Sequence, residues 1–450
     1  MVLTLEVVFI KKKWHLTNSQ IIILGFAAAI LLGGLLLTLP FATADGKGAS
    51  FPDAIFTATS AICVTGLVVQ DTATYWSAFG QGVILLMIQI GGMGVVTLAV
   101  AITMISGKKV SLKTRSTMQD AISAHHIGGV VHLTGFIIKG CAAIELAGAL
   151  LLMPVFIPEF GVLKGIWYSF WHSISAFCNA GFDLMGVRGE FSSLTSIAFN
   201  PLLNIVIMIL IVVGGIGFLT WEDIVTNKWH LKKYRMQSKV ILTTSALLIV
   251  LPAVLFFFLE FTELPAGERV LAALFQSVTA RTAGFNSVNL SAMSGAGLAL
   301  MIALMIVGGS PGSTAGGMKT TTLAVMFSTA VSVFRNREHT HFFGRRIADS
   351  TVRQAISILT MYLSLFLAGG CIISRVEGLP LKECLFETAS AVGTVGLSLG
   401  LTPQLGGLSR MILILLMYFG RVGGLTIIFA ALSNKQSSPA TLPQEKLTVG

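Results

Sequence analysis

One order of segments occurs four times along the chain, and it limits the fold more than any other feature. A long apolar run comes first. A mixed segment too short to cross a bilayer follows, then a loop ending in glycine, then a second long apolar run containing small-residue pairs. The first runs lie near Gln20–Leu39, Leu133–Ile157, Val240–Phe261 and Ala355–Ile373. The short segments lie near Phe51–Ile62, Leu163–Phe177, Glu268–Ala280 and Leu381–Val392. The second runs lie near Phe79–Ile105, Pro201–Ile224, Leu298–Val331 and Ser409–Leu432. The loops read Cys63-Val64-Thr65-Gly66, Cys178-Asn179-Ala180-Gly181, Arg281-Thr282-Ala283-Gly284 and Gly393-Thr394-Val395-Gly396, with their final glycines roughly 100 to 115 residues apart. Downstream come Gly91-Gly92, Gly214-Gly215, Gly308-Gly309 and Gly423-Gly424. Self-similarity at a fixed period is the mark of a repeat architecture. The repeats span about residues 16–110, 127–230, 237–335 and 350–434 of one membrane domain covering 1–450, and 435–450 is a polar C-terminal tail.

The long runs match the roughly 20 residues a helix needs to cross about 30 Å of hydrocarbon. The composition agrees, with 54% hydrophobic and 11% charged residues, against about 25% charged in an ordinary soluble domain. The first run follows Lys11–Lys13 and lacks an A-x-A site, so it reads as a span rather than a leader. The net charge of +10 is gathered in linkers: Lys11–Lys13; Lys108, Lys109, Lys113 and Arg115; Lys228, Lys232, Lys233, Arg235 and Lys239; Arg335, Arg337, Arg345, Arg346 and Arg353; then Lys435 and Lys446. That is the positive-inside pattern, not a nucleic-acid footprint. It puts both termini in the cytoplasm, which two spans per unit and eight in all also require. The expected fold is an all-α polytopic membrane protein of eight transmembrane helices, in which four tandem helix–pore loop–helix repeats take a pseudo-fourfold arrangement in the cell membrane. The five cysteines show no C-x-x-C spacing and read as apolar filler.

Irregular backbone survives in a bilayer only when it is buried in protein or lines water. Four equivalent stretches in one chain therefore imply a shared axis. Rings of carbonyl oxygens there can replace an ion's water shell, and half-helices ending at the loops turn the negative ends of their dipoles toward it. A monovalent cation is the expected cargo. The filter candidates are Val64, Thr65 and Gly66; Asn179, Ala180 and Gly181; Thr282, Ala283 and Gly284; and Thr394, Val395 and Gly396, with potassium at their carbonyls. The competing reading, ordinary glycine turns at the outer surface, would not need a preceding short segment four times.

At these residues the chain resembles the Trk/Ktr/HKT family of potassium transporters, and most of all its KtrB-type membrane subunits. Thr394-Val395-Gly396-Leu397 is similar to the T-V-G core of potassium-channel filters, and the resemblance covers about Gln20 to Leu432. It implies potassium uptake, often sodium-stimulated, with sodium's part as coupled ion, co-permeant or activator left open. It also implies a homodimer in the lipid, a cytosolic nucleotide-binding regulatory ring and no organic cofactor. Two gate elements follow from it. The third second-helix is interrupted by Gly308-Gly309-Ser310-Pro311-Gly312-Ser313-Thr314-Ala315-Gly316-Gly317-Met318-Lys319, and the fourth carries Arg421. The residues support both. Glycine and proline disfavour a helix in that segment, although a harmless kink is the alternative. A charged side chain inside a membrane costs at least about 2.5–3.5 kcal/mol, although an arginine snorkelling to the cytoplasmic face is the alternative at Arg421.

Other positions are less determined. Arg281 is expected to point behind its loop to a carboxylate such as Glu387, with pore lining as the minor reading. Asp183 and Asn286 are outer-mouth residues or plain loop residues. Glu145 and Glu260 are packing partners or interface residues, with proton carriers as the minor reading. His125, His126, His339 and His341 are linker residues or contacts to a cytosolic partner. Gly308-x-Ser310-x-Gly312 spells a hydrolase elbow and Gly312-x-x-x-x-Gly317-Met318-Lys319-Thr320 is one residue out from a P-loop, yet both lack the strand context those motifs need. The functional alternatives are a secondary transporter with broken helices and a sodium-permeable cation channel. No triad, paired acid or metal cluster argues for an enzyme.

Overall fold

In the computed structural model, which describes residues 16–106, 110–122, 129–424 and 426–427, the chain is helical throughout apart from loops and one small hairpin. Lys11–Lys13, Lys108, Lys109, His125, His126 and the tail lie outside the described residues. The first helices of the four units are α1 (Asn18–Leu37), α6 (Val130–Phe160), α10 (Met236–Leu259) and α14 (Asp349–Glu377), and all four are long and apolar enough to cross a membrane. Local sequence sets their ends. Thr17 and Gln20 form a reciprocal capping box at the start of α1, which satisfies two otherwise orphaned N–H groups. Gly378, at φ 69°, ends α14 in the left-handed conformation that favours glycine.

The short segments are half-helices: α2 (Phe51–Ile62), α7 (Val162–Phe177), α11 (Ala266–Thr279) and α15 (Leu381–Gly393). Ser50 caps α2, with Pro52 in its first turn, while Pro265 and Pro380 precede α11 and α15. Proline tolerates a helix start because its missing N–H has no partner there anyway. Twelve to sixteen residues reach only about 18–24 Å at 1.5 Å per residue, so each stops inside the protein with its C-terminal end buried.

Of the second runs, the first two depart from the sequence expectation of one continuous helix each, and the third is broken where its Gly308–Lys319 segment predicts. The first divides into α3 (Ala78–Met93) and α4 (Val95–Ile105), bent by 95°, and the second into α8 (Pro201–Gly215) and α9 (Phe218–Asn227), bent by 98°. The third divides into α12 (Gly295–Ile306) and α13 (Thr320–Phe334) around a long loop. The fourth, α16 (Gly407–Val422), ends at Gly423. Gly94, Gly217 and Gly423 carry the three sharp turns at φ 87°, 92° and 88° with extended ψ, a region open essentially to glycine alone. Unbroken hydropathy on both sides hides these turns in the sequence. The remaining helix, α5 (Leu112–Ile122), lies against α1, where Asn18 donates to Asp120 at 2.8 Å. The hairpin pairs His341–Phe342 with Arg345–Arg346 in the linker before α14.

The packing closes a ring. Each half-helix lies against the second helix of the preceding unit: α7 on α3, α11 on α8, α15 on α12. The first half-helix, α2, lies against α16 of the last unit. Arg410 and Asp53 form an ion pair of 2.8 Å across that closing seam, and Arg410 also donates to the Pro403 carbonyl at 2.9 Å. Four units of one orientation around one axis are the pseudo-fourfold arrangement expected from the repeat.

Candidate functional site

The four loop glycines meet at the axis. A methyl group on Gly66 would lie 3.1 Å from the Cα of Gly181. One on Gly181 would lie 2.9 Å from the Cα of Gly284, one on Gly284 3.2 Å from that of Gly396, and one on Gly396 2.9 Å from that of Gly66. The sequence of contacts runs once around and closes. The carbonyls of Ala180, Ala283, Val395 and Thr65 stand against the same four positions. All four glycines have positive φ, at 91°, 68°, 78° and 96°. Any side chain in this ring meets both a left-handed backbone and a neighbouring carbonyl, so glycine is required twice over.

Three of the loops fold alike. Thr65, Ala180 and Val395 each donate their backbone N–H to the carbonyl of Ser60, Ser175 and Ser390 at 2.8 Å. Val64, Asn179 and Thr394 take φ of 56°, 59° and 52°, which is costly for a β-branched residue. The serines tie the loops further: Gly66 and Gly396 donate to the hydroxyls of Ser60 and Ser390 at 3.1 and 3.0 Å, and Ser175 donates to the Phe182 carbonyl at 2.7 Å. The third loop is wound differently. Ala283 donates to the Thr279 carbonyl at 2.9 Å, and Thr282 keeps a negative φ. The hydroxyls of Thr65 and Thr394 are buried without a hydrogen-bond partner, which is unfavourable unless something else meets them.

Arg281 does point behind its loop, but not to Glu387. Its guanidinium reaches Ser245 on α10 at 3.4 Å, and its Nε has no partner. Glu387 instead serves its own unit. It accepts from Ser398 Oγ at 2.6 Å, Leu399 N–H at 3.1 Å and Thr402 Oγ1 at 2.7 Å, bracing the strand of chain beyond Gly396.

Directly beneath the ring lies the Gly308–Lys319 loop. It is pinned by backbone bonds to the second and fourth units. Ser310 N–H donates to Gly215 O at 2.9 Å and Thr314 N–H to Gly214 O at 3.2 Å. Gly317 N–H donates to Gly420 O at 3.1 Å, and Phe218 N–H to Gly312 O at 2.7 Å. Gly308 N–H closes the loop's own neck on Met318 O at 2.7 Å, and Lys319 Nζ folds back onto the carbonyls of Ala315 and Gly316 at 2.9 and 3.3 Å. Asn179 connects the loop to the ring segments: its amide donates to Thr314 Oγ1 at 2.9 Å while its oxygen accepts from Thr282 at 3.2 Å. A methyl on Gly316 would strike Thr394, so the loop touches the fourth ring segment as well. Ser310 pairs with the Thr320 hydroxyl at 3.2 Å. The buried His172 hydrogen-bonds Tyr168 O at 2.7 Å and accepts from Leu184 N–H at 3.4 Å, so Ser310 and His172 are each occupied structurally.

Arg421 sits at the crossing point. Its guanidinium donates to Thr314 O in the loop and to Gly91 O, and to Gly92 O at 3.2 Å, in the first unit. The structure also corrects its register within the repeat. A methyl on Gly91, Gly214 or Gly420 would strike the carbonyl of Ile62, Phe177 or Val392, near the end of a half-helix. The fourth counterpart of Gly91-Gly92 and Gly214-Gly215 is therefore Gly420-Arg421, not Gly423-Gly424. Where two other units place a second glycine, the fourth places a guanidinium. The signal in the sequence was Gly-x-x-Gly, as in Gly91–Gly94, Gly214–Gly217 and Gly420–Gly423.

Two cavities lie on opposite sides of this assembly and share no lining residue. The outer one, on the far side of the ring from the Gly308–Lys319 loop, is bordered by all four ring glycines with Asp71, Asp183, Asn286 and Ser398. Burial pushes the Asp183 carboxyl up to about 6, partly offset by the Met185 N–H it accepts at 2.9 Å. The inner one is bordered by Gly94, Asp120, Pro311, Ser313, Lys319 and Arg421. Glu260 caps the outer end of α12 by accepting from Ser294 N–H at 2.9 Å, which is a packing role.

The family model described as "TrkH: Cation transport protein" matches residues 16–439. The potassium/sodium uptake protein NtpJ of Enterococcus hirae is 40% identical over 447 residues, covering 97% of this chain and 98% of that protein. The Ktr system potassium uptake protein B of Bacillus subtilis is 38% identical over 433 residues, covering 95% and 96%. In three dimensions the chain is similar to the crystal structure of the potassium transporter TrkH from Vibrio parahaemolyticus, with TM-score 0.70, 20% sequence identity, and coverage of 93% of this chain and 86% of that one.

Proposed function

We propose that this chain, which belongs to the TrkH family of cation transport proteins, takes up potassium by passing it down the axis through the ring of Gly66, Gly181, Gly284 and Gly396. The observation that carries this is the closure of the ring, with a carbonyl oxygen beside each glycine. Four carbonyls around one axis can replace part of the hydration shell of a monovalent cation. The half-helices α2, α7, α11 and α15 end near it with their carbonyl ends inward, which favours positive charge. The free hydroxyls of Thr65 and Thr394 suit a polar lining. The reading as a secondary transporter with broken helices is weaker, since that class pairs inverted repeats and here four units share one orientation.

In the same proposal the Gly308–Lys319 loop and Arg421 form the closed gate. The residues concerned are Gly308, Gly309, Ser310, Gly312, Ser313, Thr314, Gly316, Gly317, Lys319 and Arg421. A loop held by hydrogen bonds between two cavities can move as a unit when some of those bonds are lost, and a fixed positive charge below the ring repels the passing ion. The basic linkers support a cytoplasmic side for the inner cavity, where a regulatory component would act. The naming of two relatives as parts of a Ktr system supports such a component. The name of NtpJ, a potassium/sodium uptake protein, supports testing sodium both as cargo and as activator. Uptake of radioactive rubidium by cells lacking other potassium systems tests the proposal: expression of the chain restores uptake, external potassium competes, and sodium is added in separate arms.

A further inference from the structure

Behind the second filter loop lies a carboxylate with no part in the pathway just described. Glu145, in the middle of α6, is 8% exposed. A carboxylate within an apolar span is unfavourable unless partnered. Its partner is the side chain of Gln89 on α3, whose Nε2 donates to both carboxylate oxygens at 2.9 and 3.1 Å. The thiol of Cys178 lies across the same pair, 3.7 Å from Gln89 Oε1 and 4.0 Å from Glu145 Oε1. Among the described residues no lysine or arginine forms an ion pair with Glu145.

The position of this knot gives it meaning. Gln89 stands just ahead of Gly91 and Gly92, whose carbonyls hold Arg421. Cys178 begins the loop that ends in Gly181, and a methyl on Gly92 would press on its sulfur. The α6 backbone is fixed to the half-helix α7 by Ser173 Oγ, which donates to the Glu145 carbonyl at 2.6 Å. One carboxylate thus joins three elements: a first helix, the break in the first unit and the second filter loop. The other units do without it. The counterparts of Gln89 are Val212 and Tyr418, and those of Cys178 are Cys63, Arg281 and Gly393. Because the repeated fold forms without this knot elsewhere, folding alone does not account for it.

We infer that Glu145 is a positioning residue for ion selection. Through Gln89 it holds the Gly181 corner of the ring in register with the carbonyls that hold Arg421. This rests on the reading of the ring as the filter. Without the knot, the second loop keeps its bonds to Ser175, Thr314 and Thr282 but loses its tie to α3 and α6, and a ring that holds its dimensions less closely discriminates less between potassium and sodium.

The test is the ratio of potassium to sodium flux in proteoliposomes holding the full chain. Glu145→Leu keeps the volume and removes both acceptors. It lowers the ratio by about tenfold, the size of one hydrogen bond to a charged group. Glu145→Gln keeps an oxygen facing the Gln89 amide and restores the ratio. Gln89→Leu, which leaves the carboxylate in place, lowers it as Glu145→Leu does and serves if Glu145→Leu fails to fold. A folded Glu145→Leu or Gln89→Leu protein with the wild-type ratio overturns the inference. So does a Glu145→Gln protein as impaired as Glu145→Leu, because hydrogen bonding would then not be the cause. Gly181→Ala runs in parallel: if it too leaves the ratio unchanged, the filter reading has failed rather than this one.

Discussion

Replacing Arg421 with alanine removes three hydrogen bonds at once, but only one of them, to Thr314 O, holds the Gly308–Lys319 loop directly. The other two anchor the guanidinium to Gly91 and Gly92. The loop keeps its backbone bonds to Gly214, Gly215, Gly420 and Phe218, so it stays folded and loses one charge-assisted tether. Such a bond is worth about 1.5–3 kcal/mol, and every 1.4 kcal/mol is about a factor of ten. The fraction of time the loop spends displaced therefore rises about tenfold at the low end and about a hundredfold at the high end. Loss of the positive charge below the ring adds to the same direction. Initial rubidium uptake into proteoliposomes, normalised to protein incorporated, is the assay. Arg421→Ala raises it about tenfold or more. Arg421→Lys, which keeps a charge but loses the fork that reaches three carbonyls, gives a smaller rise. Equal uptake by wild type and Arg421→Ala at equal protein would refute the tether argument.

Three further outcomes follow from the geometry. Asp183 borders the outer cavity with its carboxyl raised by burial to about 6. It is charged at pH 7.5 and mostly neutral at pH 5, so acidification raises the half-saturating rubidium concentration up to about fivefold, as loss of one nearby charge at about 1 kcal/mol implies; Asp183→Asn shows the acid value at both pH values. Glu387→Leu leaves the donors of Ser398, Leu399 and Thr402 without their acceptor and destabilises the protein by about 3 kcal/mol or more, read as a lower thermal midpoint in detergent, whereas an unchanged midpoint contradicts the brace. At the seam between last and first units, the stability changes of Asp53→Ala and Arg410→Ala are non-additive in the double variant by about 1 kcal/mol or more, and strict additivity would show that the 2.8 Å pair closes nothing.

Much of this fold was legible before any coordinates. The half-helices Phe51–Ile62 and Leu381–Gly393 lie where their capping serine or preceding proline and their final glycine loops put them. The ring glycines follow from the repeat alone. What the sequence concealed was backbone geometry inside uniformly apolar stretches. Hydropathy cannot distinguish a straight helix from α3 and α4 meeting at 95°, because Gly94 is as silent in a hydropathy window as Gly91. The same blindness misplaced the fourth Gly-Gly. The doublet Gly423-Gly424 masks that Arg421 stands in for a glycine, which the weaker Gly-x-x-Gly spacing signals and the contact of Gly420 with the Val392 carbonyl settles. The partner of Arg281 is hidden because a buried cation suggests a carboxylate, while here Glu387 has three donors of its own and the guanidinium reaches Ser245. Long-range pairs such as Gln89 with Glu145 and Asp53 with Arg410 depend on the ring closing, which no local pattern encodes.

The central claim is that a ring of four glycines selects the ion. Alanine at Gly396 puts a methyl against Thr65 O and the Cα of Gly66, 2.9 Å away, and so distorts the ring while leaving the gate untouched. Potassium and sodium flux through proteoliposomes of wild type and Gly396→Ala is the direct measurement. The account predicts potassium-selective flux in the wild type and loss of that selectivity in the variant; a folded Gly396→Ala protein that passes potassium over sodium as the wild type does would contradict it.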